Sequence, residues 1–261
     1  MSVLDSFSLA GKVVVVTGGA GLYGRQIVAA VAGGGGKVFI AARDQTKLEA
    51  VAAEERAAGH DVTALALDLD ADASIEALHA TVIEAAGRCD VLVNNAVTRS
   101  AISGWDHKLE DYDRSLRVNA SALFKITSLF GKSMAAQKSG SIINIGSMMG
   151  MVGLEMANYD GTEMMPDPSP IYHYEKGGML NFTRWAASIL GKDNVRVNCL
   201  SPGGLYSGQP ERFVQNYSDR TQLGRMANDT DLMGAIIFLA SDASAYVTGT
   251  NIPVDGGYTA K

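Results

Sequence analysis

Tyr172 and Lys176 stand four positions apart in Tyr172-His173-Tyr174-Glu175-Lys176. On a helix that offset places both on one face, with the ammonium beside the phenol. A free phenol titrates at about 10, too high for efficient proton exchange near neutrality, and a close cation pulls it down. Of the nine tyrosines only Tyr172 has a lysine at this offset; Tyr159, nearer to Ser147, has Glu163 there and lacks the cation. Ser169 and Pro170 read as an N-cap and a first helical residue, so the positive end of the helix dipole would also favour the phenolate. The pair predicts a group that gives and takes a proton, with Tyr172 as carrier and Lys176 as support.

Ser147 ends the apolar run Ile143-Asn144-Ile145-Gly146-Ser147. If the run is a strand, its carboxyl end lies on the rim where open α/β sheets bind ligands, and the hydroxyl can donate to the oxygen that Tyr172 serves. Asn119, in Arg117-Val118-Asn119-Ala120, reads as a buried amide inside a helical stretch. Such a group marks a kink, a relay water or a purely structural bond.

A second constellation precedes these. Val13 to Val16 run into Thr17-Gly18-Gly19-Ala20-Gly21-Leu22-Tyr23-Gly24, and helical spacing follows from Arg25. Glycines at 18, 21 and 24 let the backbone approach a pyrophosphate, and the helix start supplies unpaired N–H groups, so a dinucleotide would lie over Gly18, Gly21, Leu22, Tyr23 and Gly24. The plain alternative is turn chemistry between a strand and a helix. After the second apolar run comes Ala41-Ala42-Arg43-Asp44. An NAD-selective site would place an acid there for the ribose hydroxyl; Arg43 instead suits a 2′-phosphate, which favours NADP(H) with NAD(H) as the alternative. Otherwise Arg43 is a solvated charge paired with Asp44. Asp68-Leu69 could meet an adenine amino group, or Asp68 is an ordinary helix-starting acid.

Positioning these groups requires alternating elements. Short apolar runs at 13–16, 38–40, 64–67, 91–93, 142–145, 195–197 and 251–254 read as strands, and stretches at 25–32, 46–58, 74–86, 116–136, 171–190 and 231–241 have helical spacing. Strands apolar on both faces, each followed by a helix, predict an α/β fold: a Rossmann-like, doubly wound parallel sheet of about seven strands with helices on both faces. No linker divides the chain, so one domain over 1–261 is expected. A net charge of -6 and no cluster of basic residues argue against nucleic acid and for small-molecule partners. Cys89 and Cys199 lie apart in apolar runs, without metal or disulfide spacing, which predicts no metal site and a reducing compartment. No run approaches the roughly 20 apolar residues of a spanning helix, and no leader is evident, so a cytoplasmic protein without membrane contact is expected.

With these residues in view, the chain resembles the short-chain dehydrogenase/reductase superfamily, single-domain branch, over essentially its whole length. The resemblance rests on Thr17 to Gly24, Asp68, Asn94-Asn95-Ala96, Asn119, Ser147, Tyr172 with Lys176, Arg196-Val197-Asn198, Ser201-Pro202-Gly203 and Val254-Asp255-Gly256-Gly257. It implies an oxidoreductase in which Asn119, Ser147, Tyr172 and Lys176 form the catalytic tetrad. Tyr172 would be the acid or base, Ser147 would polarise the substrate oxygen, Lys176 would also bind the nicotinamide ribose and Asn119 would hold a relay water. Asn95, Ala96, Pro202 and Gly203 would complete the cofactor site with Tyr172 and Lys176. The resemblance also implies a homo-oligomer, usually a tetramer and sometimes a dimer, with the helices near 116–136 and 171–190 at one interface.

Departures from the family pattern bear on the substrate. The glycine loop reads T-G-x-x-G-x-x-G, with Leu22 at the position of a common glycine. Val97 follows Asn94-Asn95-Ala96 where glycine is usual, and the threonine often found shortly after Pro202-Gly203 is missing. Ser147 and Tyr172 are 25 positions apart (172 − 147), longer than the common spacing, which predicts an irregular active-site insert at 151–170 holding three of the six prolines. Seven of the eleven methionines fall between Met148 and Met179 and could form an apolar wall, or serve ordinary packing. The segment 204–228 is the expected specificity loop, and its Tyr206, Gln209, Arg212, Gln215, Tyr217 and Arg220 are hydrogen-bond formers. Insert and loop together resemble a subgroup associated with bacterial surface-sugar and flagellin-glycan pathways, which points to a sugar or sugar derivative. The methionines point instead to an apolar ketone or 3-oxoacyl compound. A nicotinamide-binding sensor or scaffold without turnover is the reading from another class.

Overall fold

A computed structural model describes residues 2–99, 106, 108–164 and 169–260. Seven strands, β1 (Val13–Thr17), β2 (Lys37–Ala42), β3 (Val62–Ala66), β4 (Val91–Asn94), β5 (Gly140–Ile145), β6 (Val195–Pro202) and β7 (Asn251–Val254), form one sheet in the order β3-β2-β1-β4-β5-β6-β7. Every pairing is parallel. Helices α1 (Leu22–Gly33), α2 (Gln45–Ala57), α3 (Asp72–Ala86), α4 (Leu109–Leu116), α5 (Ala122–Gln137), α6 (Pro170–Leu190), α7 (Glu211–Ser218) and α8 (Met233–Ala240) connect them.

The four valines of β1 show why the runs are apolar throughout. Successive side chains point to opposite faces. Val14 and Val16 pack with Ile27 of α1, Leu48 of α2 and Ile236 of α8, while Val13 and Val15 pack with Ile75 of α3, Phe130 of α5 and Ala186 of α6. Both faces are covered, as the sequence predicts. The strand order reverses between β1 and β4, which opens the crevice at their carboxyl ends where ligands bind in such sheets.

A buried polar chain fixes the two helices that flank the site. Asn94 Nδ2 donates to Thr127 Oγ1 of α5 (3.1 Å) and to Asn144 Oδ1 of β5 (2.9 Å), and Asn144 Nδ2 donates to Thr183 Oγ1 of α6 (2.9 Å). Thr183 thereby sets the rotation of α6, and Lys176 and Tyr172, about two and three turns upstream, share its face.

Three expectations change. The single helix over 116–136 is broken: α4 ends at Leu116, Arg117–Ser121 form a π turn, and α5 begins at Ala122. The turn accompanies sideways bonds from Asn119, described below, and α4 itself carries only a short apolar period, Leu109, Tyr112 and Leu116. Ser169 holds the N-cap position before Pro170, yet its side chain makes no cap and its buried hydroxyl has no partner among the described residues. The insert is partly regular, with a 3-10 turn over Met156–Asn158; residues 165–168 lie outside the described residues. Cys89 and Cys199 are free and buried. Among the described residues no helix is long and apolar enough to cross a membrane.

Candidate active site

The glycine loop is tied to the far side of the switch point. Gly18 has φ +68°, a left-handed conformation, and a Cβ there would stand 2.9 Å from Ala96 Cα. Thr17 Oγ1 accepts from the N–H groups of Asn95 and Ala96 (both 3.0 Å), and Asn95 Nδ2 donates to the carbonyls of Thr17 (3.1 Å) and Gly18 (3.0 Å). Tyr23 Oη donates to Gly203 O (2.8 Å), linking the loop to the end of β6. Gly21 is the N-cap of α1 and brings no side chain to its first amides, which leaves them for an anion.

One cavity of about 1220 Å³ runs from this loop across the sheet rim. Gly18, Gly21, Leu22, Tyr23 and Gly24 line it with Arg43, Asp68 and Leu69 at one end, Asn95, Ala96, Pro202 and Gly203 along its middle, and Ser147, Tyr172 and Lys176 at the other end. The volume exceeds the roughly 300–1,000 Å³ of ordinary small-molecule pockets, leaving room for a dinucleotide and a second molecule. Arg43 is exposed and forms no ion pair among the described residues, while Asp44 accepts from Lys47 N–H (3.1 Å) and pairs with the Lys47 ammonium. The Arg43–Asp44 pair is therefore not formed. Nor does Asp68 start a helix: α3 begins at Asp72.

At the catalytic end, Lys176 is buried and donates to Ile145 O (2.7 Å), with its ammonium 5.7 Å from the Tyr172 ring centre. Ser147 Oγ accepts from Met149 N–H (3.1 Å), which leaves its proton for another oxygen. Burial alone would raise the Tyr172 phenol; the charges of Lys176 and Arg99 and hydrogen bonding to Ser147 and Arg99 outweigh it and hold the group below its ordinary value. Burial likewise holds the Lys176 ammonium below the usual lysine value. A base is active once deprotonated, so alcohol oxidation should rise as pH passes upward through the Tyr172 pKa. Lys176→Met removes a cation, and the rising limb of its pH–rate profile is expected to move to higher pH; an unmoved limb would contradict the coupling.

Asn119 does not line the cavity. Its Oδ1 accepts from Thr98 N–H (2.9 Å), and its Nδ2 donates to Thr98 O (2.9 Å) and to Glu175 Oε2 (2.8 Å). The amide ties the β4 loop to α6, so its side chain acts through the position of its neighbours. Tyr159 lies in the wall, ring against Phe213 at 5.4 Å, and burial raises its phenol. Without a lysine beside it, it is an apolar surface rather than a base.

The specificity loop also differs from expectation. Of its six hydrogen-bond formers only Gln209 and Tyr217 line the cavity. Gln209 is satisfied within its own loop, by Ser207 N–H (2.7 Å) and Leu205 O (2.9 Å). Tyr217 Oη accepts from Gly204 N–H (2.6 Å) and is pushed up to about 12, chiefly by burial. The surface presented is apolar: Phe213, Tyr217, Met226 and Met148 form a buried cluster against Met149, Tyr159 and Met164. The insert hangs on the same side. Asn158 Nδ2 donates to Tyr258 Oη (2.8 Å), and Asn216 Nδ2 of α7 donates to the carbonyls of Asn158 (3.2 Å) and Asp160 (2.8 Å).

A family model described as enoyl-(acyl carrier protein) reductase matches residues 21–259. The chain belongs to the short-chain dehydrogenase/reductase superfamily. A 3-oxoacyl-(acyl-carrier-protein) reductase of Thermotoga maritima is 32% identical, over 95% of this chain and 98% of its own length. A short-chain type dehydrogenase/reductase from Mycobacterium marinum superposes with a TM-score of 0.89 at 29% identity, covering 100% of both chains. A gluconate 5-dehydrogenase from Burkholderia cenocepacia, solved with NADP and tartrate, gives 0.88 at 26% identity, again over 100% of both.

In this dehydrogenase/reductase two groups at the catalytic end were not among the sequence candidates. Glu175 precedes Lys176 and sits three positions after Tyr172, an offset that shares its helix face and could have singled it out. It is buried, burial raises its carboxyl, and its Oε1 has no partner among the described residues. Arg99 has its guanidinium carbon 4.9 Å from the centre of the Tyr172 ring. No spacing rule announces it, because the approach is made by a loop.

Proposed function

We propose that the protein interconverts a secondary alcohol and a ketone with a nicotinamide cofactor, NADP(H) in preference to NAD(H). The observation that carries this reading is the meeting of Tyr172, Lys176 and Ser147 at one end of a cavity whose other end is a bare helix N-terminus under a glycine loop. The residues fit the cofactor: the uncapped amides of α1 suit its pyrophosphate, and unpaired Arg43 suits a 2′-phosphate. Solved relatives hold NADP, as in the Burkholderia protein, or NAD+, as in one from Leptospira borgpetersenii, and support a nicotinamide cofactor of either kind. When bound, the nicotinamide supplies or accepts the hydride. Ser147 holds the substrate oxygen, Tyr172 moves the proton to or from it, and Lys176 keeps the phenol ready to lose that proton and is placed to hold the nicotinamide ribose. Asn119 keeps α6 in register, and any relay water it holds must use its backbone carbonyl.

For the substrate, the apolar wall supports a ketone with an apolar body, a 3-oxoacyl compound included, over a sugar. The similarity to a 3-oxoacyl reductase points the same way, and that to a gluconate 5-dehydrogenase keeps a sugar acid as the alternative. The sensor reading is disfavoured by the presence of both Tyr172 and Lys176 in working positions. A cytoplasmic location agrees with two buried free thiols, and a homo-oligomer agrees with the aromatic group Phe124, Phe182 and Trp185 on α5 and α6, whose first and last members are about half exposed.

Steady-state reduction of ketones with each cofactor tests the reading. The value of kcat/KM for NADPH is expected to exceed that for NADH, and Arg43→Ala should raise KM for NADPH about tenfold with little effect on NADH. Turnover confined to sugar alcohols would overturn the substrate choice, and equal use of both cofactors would overturn the role of Arg43.

A further inference from the structure

Arg99 lines the catalytic end of the cavity and lies nearer the Tyr172 ring than Lys176 does, 4.9 Å against 5.7 Å. The two cations differ in availability. Lys176 is buried and bonded to Ile145 O, whereas Arg99 is exposed and forms no ion pair among the described residues. Arg114, which also lines the cavity, is paired with Asp70 at 3.4 Å. None of the acids in the wall answers Arg99: Asp44 is held by Lys47, Asp68 accepts from Asp70 N–H (3.0 Å), and Glu175 is buried against Asn119. In a chain of net charge -6, this end of the cavity therefore keeps a guanidinium that meets the Tyr172 phenol and, among the described residues, no acid.

The geometry points to Arg99 as the holder of a substrate carboxylate, so that the ketone is a 2- or 3-oxo acid and the alcohol the corresponding hydroxy acid. This rests on the ketone–alcohol reading above and narrows it. Tyr172 Oη must come within about 2.6–3.2 Å of the carbonyl oxygen. A guanidinium packed against the same ring then reaches a carboxylate only one or two carbon–carbon bonds of about 1.5 Å from the carbonyl carbon. Its planar fork matches a carboxylate with two parallel hydrogen bonds, and a neutral ester offers no charge to match. The apolar wall of Phe213, Met226 and Met164 takes the rest of the molecule. His173 adds a polar group at this end: its ring meets Tyr172 edge-on at 6.5 Å, and its buried Nε2 has no partner among the described residues.

Arg99 also bears on the Tyr172 phenol, and that effect falls on every substrate alike. The test therefore reads a ratio. NADPH binding to the full chain is first followed by nicotinamide fluorescence. Reduction of 3-oxobutanoate and of its methyl ester is then compared in the native protein, Arg99→Lys and Arg99→Met, and 3-hydroxybutanoate and its methyl ester are titrated into the NADP-loaded protein. The native protein is expected to favour acid over ester about 30-fold, Arg99→Met to bring the ratio close to one, and Arg99→Lys to fall between. Equal handling of acid and ester, binding of neither, or a preference that survives Arg99→Met would overturn the assignment while leaving the ketone–alcohol reading in place. A chain that binds no NADPH would overturn both.

Discussion

Tyr172→Phe is expected to abolish turnover, or to lower kcat by a factor of about 10²–10⁴, while NADPH affinity stays nearly intact. The ring keeps its packing against Arg99 and His173 and its approach by the Lys176 ammonium, so what is lost is the hydroxyl proposed to pass a proton to and from the substrate oxygen. Ser147 does not replace it, because an aliphatic hydroxyl is a far weaker acid than a phenol. Single-turnover reduction together with fluorescence titration of NADPH separates the two quantities. Turnover unchanged by the substitution would remove Tyr172 from the mechanism, and a chain inactive even with the native tyrosine on every ketone tried would favour the sensor reading.

Gly24→Ala is expected to weaken NADPH binding by at least about tenfold and to cost about 1–3 kcal/mol of stability. A Cβ at Gly24 would stand 2.1 Å from Gly18 O, 2.9 Å from Gly19 C and 3.0 Å from Gly19 O, all backbone atoms. Gly18 O cannot retreat freely, since it accepts from Gly21 N–H (3.0 Å) and from Asn95 Nδ2 (3.0 Å). Either α1 moves away from the sheet or the loop leaves the shape that presents its amides. Gly33→Ala, in the same helix with nothing within 4 Å of the added carbon, should leave affinity unchanged and hold or slightly raise the melting temperature, and serves as the control. Native-like melting and binding for Gly24→Ala would show that the loop tolerates a rearranged helix start.

The sheet was legible because its inner strands are buried on two faces, as Val13 to Val16 display, and because stretches of helical period stand between the apolar runs. Tyr172 and Lys176 were legible because their relation is local, four residues on one helix. What was not legible depends on contacts between distant segments. The π turn at Arg117–Ser121 is inseparable from bonds that Asn119 makes to Thr98 and Glu175, and nothing in Arg117-Val118-Asn119 states that those partners are near. Arg99 reaches Tyr172 across 73 positions (172 − 99), so only the folded loop reveals it. The polar side chains of 204–223 misled for a related reason: composition shows hydrogen-bonding capacity, and only the fold shows that Gln209 spends it inside its own segment and Tyr217 on Gly204 N–H and Met148 Sδ.

Asn158 and Asn216 fasten the insert to α7 and to the C-terminal segment, whereas Lys176 and Thr183 fasten the tetrad helix to β5. The two sets of fastenings share no side chain. Descendants of this sequence can therefore diverge in what they accept by altering one set, while inheriting from the other the acid–base apparatus proposed for Tyr172 and Lys176, which selection need not rebuild.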